Sequence, residues 1–328
     1  MASFKPTTTF VMPTHPQTHR ASEQKLVVNR YMFPSAGYRK PKIAVLFMHA
    51  IGFTKEMWHP IMQRLLENFR DNSFDLEFVA YDMRNHGDSA IVNESVLDQH
   101  MDATDNALDA LHVIDTCNLK RDAIALVGVA LSYGGTSLVM AETIRPGTFN
   151  TMIPMDPILY PNFINPDFSP MADPSRKRRN HWECREAALH TFLSSRFCKN
   201  WDPEMMTIYI RDGLRRVPGT QSEVVLKCEP EQEYQTFMFD KHTFYNAYTG
   251  LAFMSTPVHF IFGQRSPVIS REVGALMVSQ HSSATGTIIP GAGHLIPMEK
   301  PDDVVRELLR AIQVDVIAQT RQFARAML

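Results

Sequence analysis

The stretch Ile124-Ala-Leu-Val-Gly-Val-Ala-Leu-Ser132-Tyr-Gly-Gly135 constrains this chain more than any other. An unbroken apolar run of strand length ends in a small residue, a serine and two glycines, and a helical pattern follows. A serine set on a tight strand-to-helix turn takes a strained backbone angle that only small residues two positions away on each side can accommodate. Ala130 and Gly134 supply them, alanine standing where glycine is usual. The run therefore reads as a nucleophile elbow, with Ser132 as the candidate nucleophile.

The flanking pattern sets the fold class. Two β-rich runs, around Thr9–Val11 and Lys25–Phe33, suggest an antiparallel entry to a sheet. Continuous apolar runs at Lys42–Met48, Leu76–Tyr81, Ile124–Val129 and Thr151–Met155 then alternate with helical patterns. These predicted helices cover Thr54–Phe69, Val96–Cys117 and Gly134–Ile144. Buried runs alternating with helices imply a mainly parallel, twisted sheet with helices on both faces. The alternation stops between about 157 and 250, where aromatic residues, methionine and proline mix with helix-like segments at Trp182–Phe197 and Pro203–Leu214. It resumes with a strand at Val258–Phe262, a helix near Arg271–Ser279, a strand at Gly286–Ile289 and a last helix from Asp302 to about Met327. The expected organisation is an α/β core over 1–156 and 251–328, with a helical lid over 157–250 inserted after strand six.

Composition narrows the function classes. With 328 residues, 44% of them hydrophobic, the chain can bury a large core, and a net charge of −2 lacks the footprint of a nucleic-acid binder. Arg176-Lys-Arg-Arg179 is the one basic run and reads as a solvated loop or helix start. Cys117, Cys184, Cys198 and Cys228 match neither a zinc knuckle nor a redox pair, so free thiols in a reducing compartment are expected. No stretch has the length of a membrane span and the start has no signal-like apolar region, which predicts a cytoplasmic protein. Ala326-Met327-Leu328 faintly echoes a peroxisomal tag, with methionine where a basic residue belongs. No phosphate loop, nucleotide fingerprint or metal cluster is evident, so neither cofactor nor metal is expected.

Four places carry a resemblance: His49-Ala-Ile-Gly-Phe-Thr-Lys55-Glu56-Met-Trp58-His-Pro60, Asp82-Met-Arg84-Asn85-His86-Gly87-Asp88-Ser89, Ala130-Leu-Ser132-Tyr-Gly-Gly135 and Leu226-Lys-Cys228-Glu-Pro230. In order and separation they resemble the α/β-hydrolase superfamily. They are more narrowly similar to a fungal group of toxin-biosynthesis hydrolases and peroxisomal-lipase-like proteins. The resemblance implies an α/β-hydrolase fold and places the general base at His294, in Gly291-Ala-Gly-His294 between the last strand and the last helix. In most relatives an aspartate follows the seventh strand, but Gly263-Gln-Arg-Ser266-Pro267 offers serine there. Asp156, at the end of strand six, is the alternative acid, an arrangement similar to that of some lipases and dehalogenases. Its other reading is a cap on the turn into the lid.

The resemblance further assigns the oxyanion-binding amides to Tyr133 and Ile51. Ala50 replaces a common glycine, and its methyl narrows the site. The Asp82–Gly87 turn is expected to brace the loop beneath the site, and Trp58 to pack. Tyr160, Phe163, Phe168, Trp182, Trp201, Phe237, Phe239 and Tyr245 either line an apolar pocket or form the lid's own core. The expected activity is hydrolysis of an ester, lactone or thioester of a medium-sized apolar small molecule. Two rivals stay open: a non-hydrolytic isomerase, cyclase or lyase using His294 as base, and a catalytically silent binding protein. The apolar lid is also compatible with a homodimer.

Overall fold

In the computed structural model the described residues are 4–18, 23–35, 40–69, 74–97, 102–238 and 241–317. The chain opens with β1 (Thr8–Pro13), β2 (Lys25–Phe33), β3 (Lys42–Met48), α1 (His59–Asn68), β4 (Asp75–Tyr81), α2 (Gly87–Val92) and α3 (Ala103–Thr116). The elbow region follows, with β5 (Ala123–Leu131), α4 (Tyr133–Ile144) and β6 (Thr151–Met155). The sheet order is β1-β2-β4-β3-β5-β6 and then two late strands; β1 and β2 pair antiparallel, and every pair from β4 onward is parallel.

Between β6 and the late strands the chain leaves the sheet. It forms α5 (Ser169–Lys177), β7 (His181–Trp182), α6 (Arg185–Leu193), α7 (Pro203–Asp212), β8 (Leu214–Arg216), β9 (Val224–Leu226), α8 (Pro230–Phe237) and α9 (His242–Gly250). The sheet then closes with β10 (His259–Gly263), α10 (Arg271–Gln280) and β11 (Thr285–Ile289). After it come α11 (Ile296–Glu299), α12 (Pro301–Ile312) and a π-helical turn at Gln313–Ile317. Among the described residues no helix is long and apolar enough to cross a membrane.

Strand β3 illustrates why these segments become buried strands. Its alternating residues divide between two cores: Val45 and Phe47 pack with Ile61 of α1 and Leu308 of α12, whereas Leu46 and Met48 pack with Ala107 of α3 and Leu138 of α4. Both faces are covered, so the strand reads as unbroken apolar sequence. The insert contributes to both cores, Trp182 and Trp201 to the first and Phe168 and Phe244 to the second.

Several expectations need correction. The insert is not purely helical: β7, β9 and β8 form a small antiparallel sheet, which takes Trp182 and Leu214 out of the helices expected to contain them. The helix expected from Thr54 begins as a 3-10 turn, Lys55–Trp58, and becomes α-helical only at His59, where Pro60 suits the first turn. The helix expected from Val96 starts at Ala103, because the Asp102 carboxylate caps it by accepting the Thr104 amide at 2.8 Å. The last helix, expected from Asp302, begins at Pro301 as α12 and passes into the π turn after Ile312, and its expected continuation to Met327 lies outside the described residues. So do Phe239 and the Ala326–Leu328 tripeptide.

Candidate active site

Ser132 sits between β5 and α4 with φ 56° and ψ −121°. This left-handed backbone turns the side chain out of the sheet, and the geometry requires glycine two residues on. A Cβ at Gly134 would stand 2.5 Å from the His49 carbonyl oxygen and 2.8 Å from that of Met48, both rigid backbone at the end of β3. Ala130, fully buried opposite Met48 in the sheet, fits the other side of the turn.

Three side chains distant in sequence meet here. Ser132 Oγ lies 2.8 Å from His294 Nε2, and His294 Nδ1 lies 3.1 Å from Asp156 Oδ2. The second Asp156 oxygen accepts the Gly263 amide at 3.1 Å. Asp156 is completely buried at the end of β6, with φ 39°, and its own amide donates to Ile261 in β10 at 2.9 Å. An ionised carboxylate can only accept, so Nδ1 carries the imidazole proton and Nε2 is left to accept from the serine hydroxyl. Ser266, in the turn after β10 where the resemblance leads one to expect an acid, instead accepts the Val268 and Ile269 amides, each at 3.2 Å.

The loop after β3 is held by two neutral histidines. His49 Nε2 accepts the Met83 amide at 3.0 Å, so its Nδ1 donates to the Ala50 carbonyl at 2.8 Å. His86 Nε2 accepts the Gly52 amide at 2.9 Å, and its Nδ1 donates to Asn85 Oδ1 at 2.7 Å. Burial pushes the His49 pKa down to about 4 and that of His86 well below its ordinary value, which keeps both rings neutral. This arrangement places Ala50 and Ile51 on the wall of the cavity that also exposes Ser132, Tyr133 and His294. Tyr133 is the first residue of α4, where amides have no intrahelical acceptor and the helix dipole favours negative charge.

The cavity measures about 530 Å³. Phe168, Phe192, Phe237 and Phe244 bring apolar surface from the insert, and Phe197, 59% exposed, stands at its rim. Of the seven described aromatic residues read as pocket lining or insert core, Phe168 and Phe237 line it. Tyr160 is tied by its hydroxyl to the Val268 carbonyl, and Phe163 is 74% exposed. Tyr245 is half-buried against the second core. Trp182 and Trp201 are insert core, Trp182 packing tilted on Phe192 and Trp201 edge-on against Tyr209. Trp58 packs on Phe47 as expected.

Three charged groups in the cavity, Arg178, Glu233 and Glu299, went unread in the sequence. Arg178, expected to be solvated with its basic neighbours, is only partly exposed and donates to Glu233 Oε2 at 2.7 Å and to the Tyr209 hydroxyl at 2.8 Å. Burial pushes the Glu233 carboxyl up, and Arg178 holds it back. Glu299 accepts the Gly293 amide at 2.9 Å and so steadies the loop that carries His294. A basic run gives no sign of which of its members turns inward. Among the described residues no group of histidine, cysteine and carboxylate side chains could hold a metal ion, and all four cysteines are free.

A model of the alpha/beta hydrolase family matches residues 45–307. Among curated proteins, the chain is 22% identical over 343 aligned residues to peroxisomal membrane protein LPX1 of Saccharomyces cerevisiae, a match covering 94% of this chain and 86% of that one. It is 28% identical over 187 residues to the type I acyl-CoA thioesterase mpaH of Penicillium roqueforti, covering 52% of this chain and 41% of that protein, so it spans less than half of that relative. Among solved structures, the peroxisomal alpha-beta-hydrolase Lpx1 of Saccharomyces cerevisiae superposes with a TM-score of 0.82 at 20% identity, over 98% of this chain and 96% of that one. That likeness is one of fold.

Proposed function

The chain belongs to the alpha/beta hydrolase family, and from that premise we propose that it is a serine hydrolase acting on an ester, lactone or thioester of a medium-sized apolar compound. The observation that carries this reading is the continuous relay Ser132–His294–Asp156, with links of 2.8 and 3.1 Å. Ser132 Oγ attacks the substrate carbonyl carbon while His294 Nε2 takes the hydroxyl proton. Asp156 keeps the imidazole in the Nδ1-protonated tautomer and stabilises the imidazolium that forms. The Ile51 and Tyr133 amides bind the oxyanion, and Ala50 narrows that pocket. His294 then returns the proton to the departing alkoxide or thiolate. A water deprotonated by the same nitrogen cleaves the acyl-enzyme, releasing the acid and restoring the serine.

The apolar cavity supports the substrate class, and residues 157–250 act as the lid over it. The thioesterase relative, by its name, favours a thioester of secondary metabolism as one form of that substrate. The intact relay favours hydrolysis over isomerisation or silent binding. We place the protein in the cytoplasm or in the peroxisome, the location that the yeast relative's name gives for that protein.

Labelling with a fluorophosphonate tests the nucleophile. The wild-type protein is expected to take one label at Ser132, and the Ser132→Ala and His294→Ala variants to lose it. Equal labelling of wild type and Ser132→Ala would overturn the reading.

A further inference from the structure

Away from Ser132, His294 and the nearby Glu299, the charged side chains of this largely apolar cavity are Arg178, just beyond α5, and Glu233 on α8. Both side chains line the cavity; Glu233 is buried, and Arg178 keeps 21% of its side-chain surface exposed. Burying an ion pair in apolar surroundings is costly, and a structural cross-link could be made from apolar side chains instead. The pair is also incompletely used. A guanidinium has five N–H donors, and Arg178 spends one on Glu233 and one on Tyr209, leaving three without a protein acceptor among the described residues. Glu233 Oε2 accepts from Arg178, whereas Oε1 accepts no hydrogen bond from a described residue. Oε1 lies beside the oxyanion loop, 3.0 Å from where a Cβ on Gly52 would stand.

An open acceptor next to open donors, in a chamber whose other walls are largely apolar, matches one kind of ligand atom. A hydroxyl oxygen can donate to Glu233 Oε1 and accept from Arg178 at once. A second carboxylate would face Glu233 and be repelled, and a methyl group would leave both polar groups desolvated and unanswered. We propose that Arg178 and Glu233 form a specificity site for a hydroxyl group on the acyl portion of the substrate, so that this enzyme selects hydroxylated acyl chains over plain ones. The inference rests on the serine-hydrolase reading above for what is done with the acyl group, though not for its binding.

Calorimetric titration of Ser132→Ala tests it without requiring turnover. The probes are the alkanoates from hexanoate to dodecanoate and their ω-hydroxy counterparts. At one chain length the hydroxy acid is expected to bind at least about tenfold more tightly than the methyl-ended acid. In the same background, Glu233→Gln is expected to cut that ratio severalfold, and Arg178→Met with Glu233→Gln to abolish it. The doubly substituted protein removes both charges together, so it leaves no lone buried ion to unfold the insert. Its thermal midpoint checks that it is folded. A pair that merely cross-links α5 to α8 would lower that midpoint and leave the ratio unchanged, overturning the proposal. Tighter binding of the methyl-ended acid at every length, or no binding of any acid, overturns it as well. Because fluorophosphonate labelling reads Ser132 alone, either reading can fail without the other.

Discussion

Ser132 and Asp156 both hold positive φ angles, 56° and 39°, conformations that non-glycine residues take at a cost of about 1–3 kcal/mol each. Both are held in the same way. The Ser132 amide donates to Met155 and the Asp156 amide to Ile261, each at 2.9 Å, so the sheet continues its hydrogen bonding one residue past the strand while the side chain is turned away. Asp156 is thereby oriented as well as buried, one oxygen fixed by Gly263 and the other facing His294. In Asp156→Asn the side chain keeps its shape, but an amide nitrogen facing Nδ1 reverses the tautomer of the imidazole. The expected result is a fall in kcat of about 10³–10⁴-fold on an activated ester, with the folded structure retained. A loss smaller than tenfold would mean that His294 is oriented by something other than Asp156.

At the scale of elements, residues from three of the segments that carry the sequence resemblance converge on a single buried ion network. Lys55, with no exposed side-chain surface, places Nζ 2.6 Å from Asp82, 2.7 Å from Asp88 and 2.9 Å from Glu56. Lys227, from the Leu226–Pro230 segment of the insert, reaches Asp88 at 2.5 Å. Two stretches of core loop and one of the insert are thus joined through Asp88. The Lys227–Asp88 contact is partly buried and worth about 1 kcal/mol. In Lys227→Met, amide exchange across β9 and α8 is expected to accelerate roughly fivefold while β3 and β5 keep their protection, as measured by native-state hydrogen exchange. Uniform acceleration, or none, would show that the insert is not held to the core at this point.

For the molecule as a whole, buried neutral histidines set the response to acid. Burial pushes His49 and His59 down to about 4 and His86 well below its usual value. An unfolded imidazole takes its proton near 6.5, so between about pH 6.5 and 4 the unfolded chain holds more protons and stability falls as the pH falls. Asp82 works in the opposite sense: burial pushes its carboxyl up to about 6, so the folded state takes that proton before the unfolded one does. His49 and His59 together outweigh Asp82, and His86 adds in their direction. Urea unfolding at pH 5 is expected to give a free energy lower than at pH 7 by at least on the order of 2 kcal/mol, and an unchanged or higher value would contradict the neutral assignment of these rings.

The strand-helix alternation, the elbow and the position of His294 were legible in the sequence because they depend on local periodicity and on small residues at fixed offsets. β6, for instance, spans the same Thr151–Met155 that its apolar run marks. Other features were illegible for equally physical reasons. The sheet of β7, β9 and β8 is too short to carry a periodic signal, and its β7–β9 pairing joins residues more than forty positions apart. The inward turn of Arg178 depends on Glu233 and Tyr209, which nothing in Arg176–Arg179 announces. The order of residues by itself determined that buried parallel strands would end in a strained serine with a histidine after the last strand. Only the tertiary structure decided which carboxylate reaches that histidine, since Asp156 and the position of Ser266 lie at the ends of neighbouring strands and only the packing of β6 against β10 settles their distances to the ring.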